Sequence, residues 1–165
     1  MRTRRGDVLG AVVAIDPGPM PEAGEDLGRV LAAHLATKLE EMGARPRVLR
    51  ADLDAGASER ARAANALDAE VCISFRVAAE RPGVTICSYF GTATAHSPMG
   101  RQLAEIIVEQ LAGADAPGGK TEAMTVAVLR ETRMPAVQIE PEDPISDAEG
   151  FAAAIATAVA RYLEG

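Results

Sequence analysis

The chain has 165 residues, 48% of them apolar and 25% charged, which suits one globular domain with a continuous core. A formal charge of −7 argues against a nucleic-acid partner, because phosphate binding needs a basic face. With no Trp, two Tyr and three Phe, the chain also lacks the aromatic platforms on which sugars or bases stack.

The start, Met1-Arg-Thr-Arg-Arg5, is basic like the head of an export leader, but Asp7 and Asp16 bracket only a short apolar run behind it. No stretch approaches the roughly 18 apolar residues of a membrane span. With Met1 as the native start, the expected location is the cytoplasm.

In chain order, Ala11 to Ile15 reads as a short buried strand running into the turn Asp16-Pro17-Gly18-Pro19. Leu27, Val30, Leu31, Leu35, Leu39 and Met42 then recur at helical spacing, and Gly43 sits where that helix stops. A short strand is predicted around Arg47-Val48-Leu49, followed by a helix capped by Ser58 and running to about Leu67. Val71 to Phe75 and Val84 to Phe90 are compact apolar strands. Ser97-Pro98 opens a helix with Leu103, Ile106, Ile107 and Leu111 on one face. Ala112 to Thr121 is predicted as a small-residue loop. Thr125 to Leu129 and Ala136 to Glu140 are predicted as the last strands, before a helix carrying Phe151, Ile155, Val159 and Tyr162.

Strands alternating with helices predict a single three-layer α/β domain over residues 1–165, with a mainly parallel six-stranded sheet flanked by helices. In such sheets functional groups gather beyond the carboxyl ends of the strands. The segments just past strands one, three and six are Asp16 to Pro19, Arg76 and Glu140, so these should converge. Cys72 and Cys87 lie in predicted strands without metal-like spacing and read as buried free thiols.

Several tempting signals fail on their own chemistry. Gly118-Gly119-Lys120-Thr121 lacks the upstream glycine of a phosphate loop, since Ala114 stands there, and it follows a helix instead of a strand. Ser74 has no histidine near it in the pattern to act as its base. The cluster Glu140-Pro141-Glu142-Asp143 reads as solvated acid without a calcium-loop signature. His34 borders the apolar stripe of the first helix and reads as partly buried, and His96 precedes the Ser97 cap in an exposed loop.

Asp16-Pro17-Gly18-Pro19, Val48 to Asp52, Ala69 to Arg76 and Pro135 to Glu140 are ordered motifs that together resemble those of the zinc-dependent N-acetylmuramoyl-L-alanine amidases. The strand ending in Asp16-Pro17-Gly18-Pro19 is similar to the family's Asp-Pro-Gly-His. Val48-Leu49-Arg50-Ala51-Asp52, Arg60 with Asn65, and Ala69 to Arg76 follow at matching intervals. Pro135-Ala136-Val137-Gln138-Ile139-Glu140 resembles Pro-Ala-Val-Leu-Val-Glu, and Ile145-Ser146-Asp147 echoes Ile-Ser-Asn. The resemblance covers about residues 11–163.

That resemblance implies a zinc site built from histidine, glutamate and histidine, with an open position for the attacking water. The three ligand positions correspond here to Pro19, to Gly24 or the adjacent Glu25, and to Arg76. Glu140 matches the catalytic glutamate. The implied reading is a catalytically inactive, amidase-like binding or regulatory module with no metal cofactor, linked to peptidoglycan metabolism. Its expected partners are a muropeptide-like ligand or a protein of cell-wall synthesis. The alternative is an active amidase with an altered metal site and Glu140 as general base.

Removing a dication from a cleft that keeps its carboxylates leaves uncompensated negative charge. A guanidinium at position 76 can replace that charge. Arg76 is therefore expected to pair with Glu140, Glu25 or Asp16, and these residues form the candidate binding set.

Overall fold

The computed structural model describes residues 8–21, 24–49, 56–78, 80–114 and 119–165. The basic start, Arg50 to Asp52 of the strand-two motif and Gly118 of the rejected phosphate-loop motif lie outside the described residues.

Six strands form one sheet in the order β2-β1-β3-β6-β4-β5. They are β1 (Val12–Asp16), β2 (Arg45–Val48), β3 (Val71–Phe75), β4 (Ile86–Phe90), β5 (Lys120–Met124) and β6 (Ala136–Glu140). Every neighbouring pair is parallel except β4 with β6. The reversal has a local cause: among the described residues no helix lies in the connection from β3 to β4, and without a crossover helix the chain turns back antiparallel. The sheet is thus mainly parallel, as the alternating pattern predicts.

Among the described residues, five helices cover its two faces: α1 (Leu27–Glu41), α2 (Ala57–Ala66), α3 (Pro98–Gly113), α4 (Ala127–Arg130) and α5 (Ala148–Glu164). The larger core joins α1, α3 and α5 to Val13, Ile15, Val71, Ile73, Phe75, Val137 and Ile139 of the strands. Leu31, Leu35 and Leu39 of α1 and Ile155 and Val159 of α5 are fully buried there, as their helical spacing requires. Alternate strand residues face the other way, where α2 and α4 cover a smaller cluster around Ala14, Cys72 and Ala136.

The helix ends follow from side-chain chemistry. Asp26 caps α1 by accepting from the Arg29 amide at 3.1 Å, Ser97 caps α3 from Gly100 at 3.0 Å, and Asp147 caps α5 from Gly150 at 2.9 Å. The α1 helix stops where expected: Gly43 takes φ +88°, and the Ala44 amide turns back onto the Leu39 carbonyl at 3.0 Å.

Three sequence expectations are corrected. Ser58 does not cap α2, whose N-cap is Gly56; its hydroxyl donates instead to Glu131 at 2.8 Å. Thr125 to Leu129 is not a strand, because Ala127–Arg130 is the short helix α4, with Val128 and Leu129 buried against the sheet. A compact apolar run does not by itself separate strand from buried helix. The fifth strand is Lys120–Met124, partly inside the predicted loop. It lies at the sheet edge and is only partly buried, so it lacks the apolar run that marks an interior strand.

Candidate ligand site at the carboxyl ends of the strands

The turn after β1 is held in place by two glycines. Gly18 has φ +81°, and a β-carbon there would lie 2.2 Å from the Phe75 carbonyl oxygen. A β-carbon at Gly28, in the first turn of α1, would lie 2.1 Å from the Pro17 carbonyl oxygen. Only glycine permits both approaches. The turn is thereby pressed between the end of β3 and the start of α1. Beside it lies a shallow hollow lined by Pro17, Pro19, Pro21, Glu25, Leu27 and Val77, with room for little more than a water molecule.

The ladder between β3 and β6 continues one residue past β3, because the Arg76 amide donates to the Ile139 carbonyl at 2.9 Å. Arg76 and Glu140 thus leave adjacent strands on the same face. Arg76 Nη1 lies 2.7 Å from Glu140 Oε1, with the arginine side chain half exposed and the glutamate side chain 14% exposed. Of the three carboxylates expected as partners for Arg76, Glu140 is the one it meets.

Asp16 is elsewhere, although it was expected in the binding set. It is fully buried on the α2 side of the sheet and accepts from Arg60 Nε at 3.1 Å, Ser74 Oγ at 2.8 Å and the Gly18 amide at 3.0 Å. These bonds satisfy its charge inside the fold, so it supports the turn instead of facing a ligand. Glu25 is exposed at the rim of the hollow.

The acidic cluster after β6 is less solvated than its composition suggests. Glu142 is buried, and burial pushes its carboxyl above the usual range while the nearby Arg81 guanidinium pulls the other way. Arg81 also donates to the Glu142 carbonyl and pairs with Asp143 at 3.2 Å. Both cysteines are buried free thiols: burial pushes Cys72 up to about 12 and Cys87 further still.

The residues at the three ligand positions do not fit zinc. Of the positions the resemblance implies, Pro19 and Gly24 have no side-chain donor atom, Glu25 alone offers a carboxylate, and the Arg76 guanidinium has no lone pair to give and already holds Glu140. Among the described residues, no three His, Cys, Asp or Glu side chains gather as metal ligands would. His34 is partly buried midway along α1. His96 is exposed near the end of β4, which runs away from the site.

Sequence reasoning did not assign the buried roles of Arg60, Gln138 and Ser88. Asn65, noted only for its spacing, ties α2 to the segment that follows α4: its Nδ2 donates to the Glu131 carbonyl at 2.9 Å, and its Oδ1 accepts from the Arg133 amide at 2.8 Å. The available signal was a polar residue breaking an apolar strand: Ser74 in β3, Ser88 in β4 and Gln138 in β6.

One family profile, described as N-acetylmuramoyl-L-alanine amidase, matches residues 10–160. Curated protein sequences give no significant match. Solved structures match almost end to end. The N-acetylmuramyl-L-alanine amidase Ami1 of Mycobacterium smegmatis has a TM-score of 0.78 at 20% identity, covering 96% of this chain and 99% of that one. An N-acetylmuramoyl-L-alanine amidase of Clostridium difficile has a TM-score of 0.78 at 24% identity, covering 94% and 98%. The amidase CwlD of Clostridioides difficile, in complex with the lipoprotein GerS, has a TM-score of 0.74 at 16% identity, covering 93% and 98%.

Proposed function

The chain belongs to the N-acetylmuramoyl-L-alanine amidase family, and from that premise we propose that it is a non-catalytic member, a binding or regulatory module of peptidoglycan metabolism. The observation that carries this reading is the Arg76–Glu140 ion pair at 2.7 Å. A guanidinium occupies a position where a metal ligand is needed, and it supplies the positive charge that offsets the retained carboxylate. One oxygen of the Glu140 carboxylate is engaged by that guanidinium, and bulk water without a Lewis acid is a poor nucleophile.

The cleft then serves recognition. Arg76, with half its side chain exposed, and Glu25 at the rim offer one cation and one anion to a muropeptide-like ligand or to a protein of cell-wall synthesis. The hollow is too small to enclose a ligand, which favours a partner seated across the rim. The CwlD neighbour, seen with a lipoprotein, supports a protein partner on this scaffold. No described helix is long and apolar enough to cross a membrane. We place the module in the cytoplasm, acting on precursor synthesis.

Zinc content and cleavage of a muramoyl-peptide test the reading together. The purified chain is expected to carry less than stoichiometric zinc and to leave the amide intact; stoichiometric zinc with cleavage would overturn it. Ligand restoration is more instructive. Gly24 has φ +87°, so Gly24→Glu would be strained. Pro19→His with Arg76→His is therefore the better pair, using Glu25 as third ligand. It is expected to gain zinc affinity without necessarily gaining activity, because the support around the ligands also matters.

A further inference from the structure

The strand register sets four polar side chains in one row across the sheet. Asp16 of β1 is opposite Ser74 of β3, Ser74 is opposite Gln138 of β6, and Gln138 is opposite Ser88 of β4. All four lie on the α2/α4 face, because their neighbours Ile15, Ile73, Phe75, Val137, Ile139 and Cys87 belong to the core on the other side. All four are buried: Asp16 is 0% exposed, Ser74 and Ser88 1%, and Gln138 7%.

The two halves of the row differ in how they are satisfied. Asp16 and Ser74 bond to each other and to Arg60 and the Gly18 amide. Ser88 Oγ and Gln138 Oε1 are buried without a hydrogen-bond partner among the described residues. Leaving one such group unmade costs about 1–3 kcal/mol, so two together, opposite each other on paired strands, need a common explanation. Cross-strand partners have β-carbons only about 4.5–5.5 Å apart, close enough for one small group to touch both.

We infer that Ser88 and Gln138 form a buried subsite for one neutral hydroxyl, supplied by an ordered water or by a ligand hydroxyl that takes its place. The chemistry selects that class. Gln138 Oε1 only accepts, so the guest must donate; Ser88 can either donate or accept. An ion is disfavoured because the nearest buried charge in the row, Asp16, is already neutralised by Arg60 and its hydrogen bonds. The subsite lies one same-face step along β6 from Glu140, and Ser74 lies one such step from Arg76. It therefore borders the ion pair but does not depend on the reading of that pair as non-catalytic.

A high-resolution crystal structure and a double-mutant cycle test the assignment. An oxygen within about 3.2 Å of both Ser88 Oγ and Gln138 Oε1 is expected. Soaking the crystals in methanol separates the two sources: an unchanged water identifies an internal solvent site, and an added methyl density identifies a subsite open to ligand hydroxyls. In denaturant unfolding, Ser88→Ala and Gln138→Leu are each expected to lower the folding constant about ten-fold, by stranding the group that remains, while the double variant stays within about three-fold of the parent. Ser88 and Gln138 bonded only to protein groups, or single variants that are each neutral or stabilising and additive, would overturn the proposal.

Discussion

The two faces of one sheet are built from alternate residues of the same strands, yet they do different work. Beneath α1, α3 and α5, residues such as Ile15, Ile73, Phe75 and Ile139 are apolar and fully buried. Beneath α2 and α4 the sheet is apolar around Ala14, Cys72 and Ala136 towards its amino-terminal half. Towards the carboxyl ends it turns polar through Asp16, Ser74, Gln138 and Ser88, and it ends in the Arg76–Glu140 pair. The first face gains stability mainly from area removed from water. The second holds polar groups, of which Asp16 and Ser74 meet specific partners, and this polar face leads to the candidate ligand site.

Substitutions can break or sharpen that contrast. The largest effect is expected on the apolar face: Phe75→Ala should cost about 4 kcal/mol in denaturant unfolding, since it leaves a cavity at a fully buried position. A loss below about 1 kcal/mol would mean that this face is loosely packed. Next comes the buried polar row. Arg60→Met should cost about 3 kcal/mol, because the fully buried Asp16 loses its counter-charge. If Arg60→Met is neutral at pH 7, the row is not held by charge pairing. The smallest effect belongs to the rim: Arg76→Ala should change stability by less than about 1 kcal/mol, since its side chain is half exposed and its charge is screened by solvent. A change in ligand or partner binding without a change in stability would mark Arg76 as a recognition residue. A large stability loss would make it structural.

Much of the fold is legible along the chain because its signals are local. The stripe from Leu27 to Met42, the Ser97-Pro98 opening and the run from Phe151 to Tyr162 each announce a helix through spacing within one element. Lys120–Met124 and Ala127–Arg130 are misread for the converse reason. An edge strand is partly exposed and needs no apolar run, while a short buried helix has one. At the site, Arg76 and Glu140 could be paired from the ends of their strands. The burial of Asp16 could not be read this way, because its partner Arg60 comes from a helix 44 residues away.

The sequence by itself determined the order of strands and helices outside the stretch from β5 to α4, the turn after β1 and the presence at positions 19 and 76 of residues that cannot bind a metal. These are properties of single residues and short periodicities. Only the tertiary structure decided that Asp16, Ser74, Gln138 and Ser88 share one row, and that Arg76 turns to Glu140 while Asp16 turns inward. Strand order is non-local, and a shift of one residue in register sends every side chain to the opposite face. The meeting of these polar groups is therefore fixed by how the strands pair in three dimensions.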